Sequence, residues 1–178
     1  MAVRWLTDPA QNGGGAVIDF GCYGANLLTW MMHGQRPESV TCVLRTFKPK
    51  VYPNVDDDAT IIVSYPTMTG IIQASWNWPF SRKDMHVYGE TGYIYADNPE
   101  RLRYRFSRKE PEQTLSLEKR QPPYEDPFAY FAAVLNGTVQ PEPYDLSSLE
   151  NNMIVVDILN AAIQSANQGC RVDINTFK

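Results

Sequence analysis

The chain has 178 residues, of which 43% are hydrophobic, 12% aromatic and 20% charged, and its formal net charge is -4. This size and composition are typical of one globular domain with a substantial core. The negative charge argues against a nucleic-acid partner, because no basic stripe is available to neutralise phosphates. No apolar run approaches the ~18 residues that a membrane span requires, so no membrane partner is expected.

The first predicted elements are a short strand over residues 3–6 and a helix over residues 15–33. A glycine run at 13–15 precedes the helix, and Gly34 followed by Pro37 ends it. The run matches neither GxGxxG nor GxxxxGK[ST]. The sequence therefore predicts no nucleotide site on this chain.

Seven predicted strands follow this helix, joined by short turns. They cover residues 39–47, 59–65, 70–78, 85–88, 93–96, 102–106 and 114–117, and a last strand is expected within 170–174. Neighbours joined by short turns pair antiparallel, because parallel strands need long crossovers.

Two predicted helices lie near the end of the chain. The first begins at Asp126, which is followed by proline at the first helical position, and it stops at Gly137. The second begins at Ser147, with Glu150 completing a capping box, and it ends at Gly169. The order helix, strands, helices predicts an α+β fold: one open, mostly antiparallel sheet with helices packed on one face.

The opposite face of this predicted sheet is rich in aromatic side chains, which indicates an interface between copies of the chain. The aromatic residues are Trp76, Trp78, Phe80, Tyr93, Tyr95 and Tyr104. The segment 76–80 could alternatively stack on a sugar ring, although burial at a strand end is the commoner outcome.

Other candidate ligands favour structural roles. Residues 56–58 are three aspartates, but they lack the spaced ligands and glycine of a calcium loop, so a solvated turn is expected. His33 and His86 have no metal-ligand neighbour in the sequence. No metal site is therefore predicted.

The cysteines and the first residues bear on the compartment. Cys22, Cys42 and Cys170 are far apart and have no metal-ligand spacing, which indicates small buried thiols in a reducing compartment. The first residues contain no apolar signal core. Together these features predict a cytoplasmic protein.

Two polar side chains, Asp19 and Tyr23, interrupt the apolar first helix four residues apart, which places them on one helix face. In one interpretation Tyr23 transfers a proton and Asp19 orients it or tunes its charge. In the other, Asp19 favours the positive end of the helix dipole and Tyr23 is a core aromatic with its hydroxyl at the surface. A tyrosine titrates near ~10, so the catalytic interpretation requires a cation from outside this helix.

Residues 13–23, Gly-Gly-Gly-Ala-Val-Ile-Asp-Phe-Gly-Cys-Tyr, resemble the motif that opens the C-terminal domain of the glucose–fructose oxidoreductase / inositol dehydrogenase / MocA family. Members of this family are NAD(P)-dependent sugar and polyol oxidoreductases. Residues 87–93 and 148–152 resemble two further family stretches. The resemblance implies that residues 1–178 form a single C-terminal substrate-binding and oligomerisation domain, with the NAD(P)-binding Rossmann domain absent from this chain.

The resemblance also implies roles for particular residues. The family places an aspartate on this helix, followed four residues later by a histidine or, in the glucose–fructose branch, a tyrosine. Asp19 and Tyr23 would accordingly be catalytic. Asn26 would face the same pocket and Trp5 would contact the sugar, both as substrate-binding residues.

Other parts of the expected machinery would lie outside the chain. The family's catalytic lysine stands in a Glu-Lys-Pro motif of the Rossmann half, whereas Lys48 follows Phe47 here and does not match that motif. NAD or NADP would be bound mainly by the missing domain, and no cofactor is expected on this chain by itself. The expected partners are that Rossmann domain, a small sugar or polyol, and further copies of the chain through the open sheet face.

The function implied is hydride transfer between a carbinol carbon and nicotinamide, with Tyr23 and Asp19 in proton transfer. The isolated chain would then be inactive. Two alternatives stay open at this stage. One is a non-catalytic sugar-sensing member of the family, and the other is a free-standing β-sheet interaction domain.

Overall fold

A computed structural model of the chain describes residues 4–174. They divide into two compact units, the described parts of Met1–Asn77 with Pro141–Lys178, and Trp78–Gln140. The helices are a 3₁₀ turn Arg4–Thr7, α1 Pro9–Asn12, α2 Ala16–Asp19, α3 Gly21–Met31, α4 Pro127–Leu135 and α5 Leu149–Gln168. The strands are β1 Ser39–Arg45, β2 Asp58–Ser64, β3 Thr69–Ser75, β4 Met85–Tyr88, β5 Tyr93–Asn98, β6 Arg101–Arg105, β7 Gln113–Ser116 and β8 Val172–Asp173.

The first unit contains an antiparallel sheet with the strand order β3-β2-β1-β8. Its strands alternate between a buried and an exposed face: Ile61 and Val63 on β2 are fully buried, whereas Ile62 between them faces outward. Helices α3 and α5 pack on the buried face. Burying one sheet face under two helices gives this unit its core.

Helix α5 supplies much of that core through Ile154, Val155, Ile158 and neighbouring residues. Its N-cap is Ser148, whose hydroxyl accepts a hydrogen bond from the N–H of Asn151 at 3.1 Å. The predicted start at Ser147 is therefore wrong by one residue.

Local geometry explains this shift. The Ser147 hydroxyl donates instead to the Asp145 carboxylate, so it does not cap the helix. The predicted stop is confirmed, since Gly169 adopts a left-handed conformation with φ 66°.

The second unit contains an antiparallel sheet with the strand order β4-β5-β6-β7, and helix α4. The predicted cap of α4 is confirmed, because the Asp126 carboxylate accepts from the N–H of Ala129 at 2.8 Å.

The predicted α+β class with open antiparallel sheets is confirmed, with three corrections. The strands form two four-stranded sheets instead of one. Of the strand predicted over 3–6, Val3 lies outside the described residues, and Arg4–Thr7 is a 3₁₀ helix. The helix predicted over 15–33 is interrupted at Phe20, which separates α2 from α3. None of the helices within 4–174 is long and apolar enough to cross a bilayer.

Candidate functional site

The glycine run leads into α2, and Asp56 binds the start of that helix. Asp56 accepts hydrogen bonds from three successive backbone N–H groups: Gly15 to Oδ1 at 2.8 Å, Ala16 to the main-chain oxygen at 3.0 Å and Val17 to Oδ2 at 2.7 Å. A Cβ at Gly15 would lie 1.8 Å from the Asp56 carbonyl oxygen, so only glycine fits there. The N–H groups that could bind a phosphate at a helix start are thus satisfied within the chain.

The neighbouring residue Asp57 is fully buried, and its carboxylate also accepts three hydrogen bonds. The donors are the N–H of Phe47 at 2.8 Å, the N–H of Lys48 at 2.7 Å and the side-chain amide of Asn77 at 2.9 Å. Burial by itself raises the pKa of Asp57, but these hydrogen bonds outweigh it and hold the pKa below its usual value.

The expectation of a solvated turn at 56–58 is therefore wrong for Asp56 and Asp57. Burial raises the pKa of the half-buried Asp56 carboxyl, although hydrogen bonds from Val17 and Gly15 oppose that shift. Both carboxylates connect segments of the first unit, and neither is a solvated surface group.

Asp19, the last residue of α2, receives a hydrogen bond from a residue that follows β3. The indole Nε1–H of Trp76 donates to Asp19 Oδ2 at 2.9 Å. The half-buried Trp76 ring lies 4.9 Å from the Tyr52 ring, centroid to centroid, at an interplanar angle of 50°. Its backbone N–H donates to the Asp57 carbonyl oxygen at 2.9 Å. Trp76 thus joins Asp19 to the end of the sheet.

Tyr23 lies in the first turn of α3, so Phe20 and the helix interruption stand between it and Asp19. Its side chain is 56% exposed, and its ring lies 6.4 Å from that of Phe20. This exposure contradicts the interpretation of Tyr23 as a core aromatic. An exposed phenol can exchange a proton with a bound molecule.

Asn26 and Trp5, the other predicted site residues, have different surroundings. The Asn26 amide nitrogen donates to the Leu146 carbonyl oxygen at 2.8 Å and to Asn152 Oδ1 at 3.2 Å. These bonds connect α3 to α5 through a residue of the family-like stretch 148–152. Trp5 lies in the 3₁₀ turn with 49% of its side chain exposed.

Comparison with known proteins decides the family. The model for the GFO/IDH/MocA C-terminal domain matches residues 1–95, more than half of the chain. The chain belongs to the GFO/IDH/MocA family. The resemblance drawn from residues 13–23 and 87–93 is thereby confirmed.

Named relatives of this GFO/IDH/MocA chain are oxidoreductases. Trans-1,2-dihydrobenzene-1,2-diol dehydrogenase from Bos taurus is 38% identical over 64 residues, which are 36% of this chain and 18% of that protein. An aldose-aldose oxidoreductase from Caulobacter crescentus, complexed with glycerol, has a TM-score of 0.75 at 20% identity over 95% of this chain and 50% of its own. An inositol dehydrogenase homolog from Azotobacter vinelandii, complexed with NAD+, has a TM-score of 0.74 at 20% identity. The match covers 97% of this chain and 52% of that protein. At this identity the two structures show a shared fold, and this chain spans about half the length of each.

The part of this GFO/IDH/MocA domain that the structure describes does not fit a dinucleotide at the glycine run. The N–H groups that start α2 already bind Asp56, and a Cβ at Gly15 would meet backbone, not open space. Within residues 4–174, no group of three or more His, Cys, Asp and Glu side chains is arranged to hold a metal ion. Asp19 and Tyr23 therefore stay the predicted catalytic residues of this chain.

Sequence reasoning missed Trp76 as a partner of Asp19, and it missed the roles of Asp56 and Asp57. The only signal for Trp76 was its place in the aromatic segment 76–80, which indicated stacking or burial instead of hydrogen bonding. The second unit carries a separate shallow cavity of about 330 Å³, lined by residues 88–93 with Arg105, Ser107 and Arg108. None of the predicted site residues lines it.

Proposed function

We propose that this chain is the substrate-binding C-terminal domain of an NAD(P)-dependent sugar or polyol oxidoreductase. Membership of the family supports this proposal, and so does the oxidoreductase activity named for its relatives. The complete protein would transfer a hydride between a carbinol carbon and NAD or NADP. That cofactor would be bound by an N-terminal Rossmann domain, corresponding to the half of the similar structures that this chain does not span.

The observation that carries the proposal is a carboxylate held by Trp76, with an exposed phenol four residues further along the chain. Trp76 occupies Oδ2 of Asp19, and among the described residues Oδ1 accepts no hydrogen bond, which leaves it available for a substrate hydroxyl. Tyr23 is exposed enough to reach a bound molecule. A carboxylate and a phenol that both reach a bound substrate would suit the transfer of a hydroxyl proton.

In this proposal Tyr23 accepts the carbinol proton during oxidation and returns it during reduction. A phenol is a base at neutral pH only when a cation lies close to it, so this role requires a cation near Tyr23. The lysine of the Rossmann half would supply that cation. Asp19 would hold the substrate hydroxyl in line with Tyr23.

Asn26 and Trp5 are proposed as substrate-binding residues. The Asn26 amide nitrogen is engaged by Leu146 and Asn152, so its amide oxygen would accept from a sugar hydroxyl. The half-exposed indole of Trp5 would offer an apolar face to the C–H groups of a sugar ring.

The decisive variant is Tyr23→Phe in the complete protein, assayed by cofactor reduction with a panel of sugars and polyols. Loss of the hydroxyl should lower the rate of the chemical step by at least ~100-fold, the lower range for a general acid–base. Tyr124→Phe is the matched control, because Tyr124 is similarly exposed and belongs to the second unit. Near-normal activity of Tyr23→Phe would refute the proposed role.

Two further measurements test whether the cofactor is bound by a separate N-terminal domain. The 178-residue chain alone should not oxidise sugars with NAD or NADP, and turnover by it would contradict the proposal. The coding sequence upstream of Met1 should contain a Rossmann fingerprint in the same reading frame. Sugar binding without turnover by the complete protein would favour the sensing alternative instead.

A further inference from the structure

The hydrogen bond between Trp76 and Asp19 is restrained from both sides by the adjacent residues Asp56 and Asp57. Asp56 binds the start of α2, and Asp19 is the last residue of that four-residue helix. Because α2 is a single turn, a shift at its start displaces Asp19 directly. Asp56 therefore fixes the acceptor side of the hydrogen bond.

The donor side is fixed by Asp57. Its carbonyl oxygen accepts from the Trp76 backbone N–H at 2.9 Å and from the Asn77 amide at 3.1 Å. Its carboxylate accepts from the same amide at 2.9 Å and is itself held by two backbone N–H groups. The Tyr52 ring packs against the Trp76 indole. The indole thus has little freedom to rotate away from Asp19.

We propose that Trp76 is the positioning residue of Asp19, and that Asp56 and Asp57 hold the two partners of this contact in register. The inference rests on the proposed role of Asp19 in proton transfer. The Trp76 N–H occupies Oδ2, so the carboxylate keeps one orientation and presents Oδ1 to the substrate. Trp76 touches neither the reacting carbon nor the cofactor in this scheme and acts through Asp19 alone.

The contact itself is tested without an activity assay, on the ¹⁵N-labelled 178-residue chain. The chain has four tryptophans, so its spectrum should contain four indole N–H resonances. Trp76→Phe removes one of them and thereby assigns it. Asp19→Asn should then shift the Trp76 indole resonance, because the charged acceptor is lost. The indole of Trp30, which is 47% exposed on α3, serves as the control and should not move.

The same spectrum tests the contribution of Asp57. Asp57→Asn should move the Trp76 resonance toward its position in Asp19→Asn, while the dispersion of the backbone amide spectrum shows that the chain stays folded. A Trp76 resonance that is unchanged in Asp19→Asn overturns the proposal, whatever the activity of the enzyme. A resonance unchanged in a folded Asp57→Asn variant overturns the part assigned to Asp57.

Kinetics on the complete protein separate positioning from simple structural support. Trp76→Phe keeps an aromatic ring next to Tyr52 and deletes the indole N–H together with part of the ring system, so kcat should fall by up to about 100-fold, the loss that a ~1 Å misplacement causes. KM should change little, and Trp30→Phe, which loses the same atoms elsewhere on the chain, should leave kcat unchanged. An unchanged kcat in Trp76→Phe, with Tyr23→Phe inactive, overturns positioning but leaves the proposed function standing. Full activity in Tyr23→Phe overturns the proposed function, even where the resonance shifts as expected.

Discussion

Replacing Asp57 with asparagine should destabilise the first unit strongly, although the two side chains have almost the same shape. The Asp57 carboxylate is fully buried and accepts from the N–H groups of Phe47 and Lys48 and from the Asn77 amide. An asparagine has one acceptor oxygen and one NH₂ group. In either orientation, its NH₂ group faces at least one of the three donors.

The magnitude follows from this mismatch. One buried N–H left without an acceptor costs about 1–3 kcal/mol, and the remaining hydrogen bonds lose the strengthening that an ionised acceptor gives. Together these effects amount to about 2–4 kcal/mol of unfolding free energy at pH 7. Since a domain of this size is stabilised by only about 5–15 kcal/mol, Tm should fall by about 10 °C.

The pH dependence has a definite sign. Hydrogen bonding holds the folded pKa of Asp57 below its unfolded value, so the stabilisation is fully present above the unfolded pKa of about 4. It is lost as the pH falls through the folded pKa. The difference in unfolding free energy between wild type and Asp57→Asn should therefore be constant from about pH 5 to 8 and shrink in more acidic buffer.

Urea unfolding, monitored by circular dichroism at several pH values, measures both the loss of stability and its pH dependence. Asp58→Asn is the matched control, because the Asp58 carboxylate makes no hydrogen bond among residues 4–174, and its replacement should change stability by less than about 0.5 kcal/mol. If Asp57→Asn is as stable as this control at pH 7, the reasoning about the buried carboxylate is refuted.

Two further substitutions test the close backbone approach at α2 and the interface between copies that the sequence predicts. Gly15→Ala should cost at least about 2 kcal/mol in urea unfolding, since its Cβ would meet the backbone oxygen of Asp56. A Cβ at Gly89 would make only an ordinary van der Waals contact, 3.8 Å from the Gly92 carbonyl oxygen, so Gly89→Ala should be nearly neutral. An equal cost for both would contradict the steric argument. Ile71→Arg should reduce the molar mass seen by light scattering if the outer sheet face joins copies of the chain, because Ile71 is 67% exposed there. Val51→Arg is the control, because Val51 is also an exposed apolar residue but lies outside the sheet, and it should leave the molar mass unchanged. An oligomer that persists in Ile71→Arg would contradict an interface on this face.

Local patterns predicted the elements of this fold well. The strand predicted over 85–88 is Met85–Tyr88 in the structure, and Asp126 and Gly169 mark helix ends as expected. Such signals are carried by residues within a few positions of one another, because capping and alternation are local hydrogen-bonding and burial effects. The family motif likewise lies in one continuous stretch, 13–23.

What the sequence did not reveal depends on contacts between distant segments. A run of three aspartates resembles a solvated loop, yet Asp56 accepts from N–H groups 39 and 41 residues away along the chain. The hydrogen bond from Trp76 to Asp19 spans 57 residues and leaves no local pattern. The division into two sheets was equally hidden, because alternation shows that β3 and β4 are strands but not which strands they pair with.

The placement of α5 has a consequence for synthesis on the ribosome. The chain is made from its N-terminus, so β1, β2 and β3 emerge before the whole of Trp78–Gln140, and only afterwards does α5 follow. Until then, the sheet face that contains Val40 and Ile61 lacks one of the two helices that bury it, and β1 lacks its pairing with β8. The nascent chain therefore carries a partly uncovered apolar surface for as long as the intervening segment takes to be translated, and such a surface is prone to aggregation during that time.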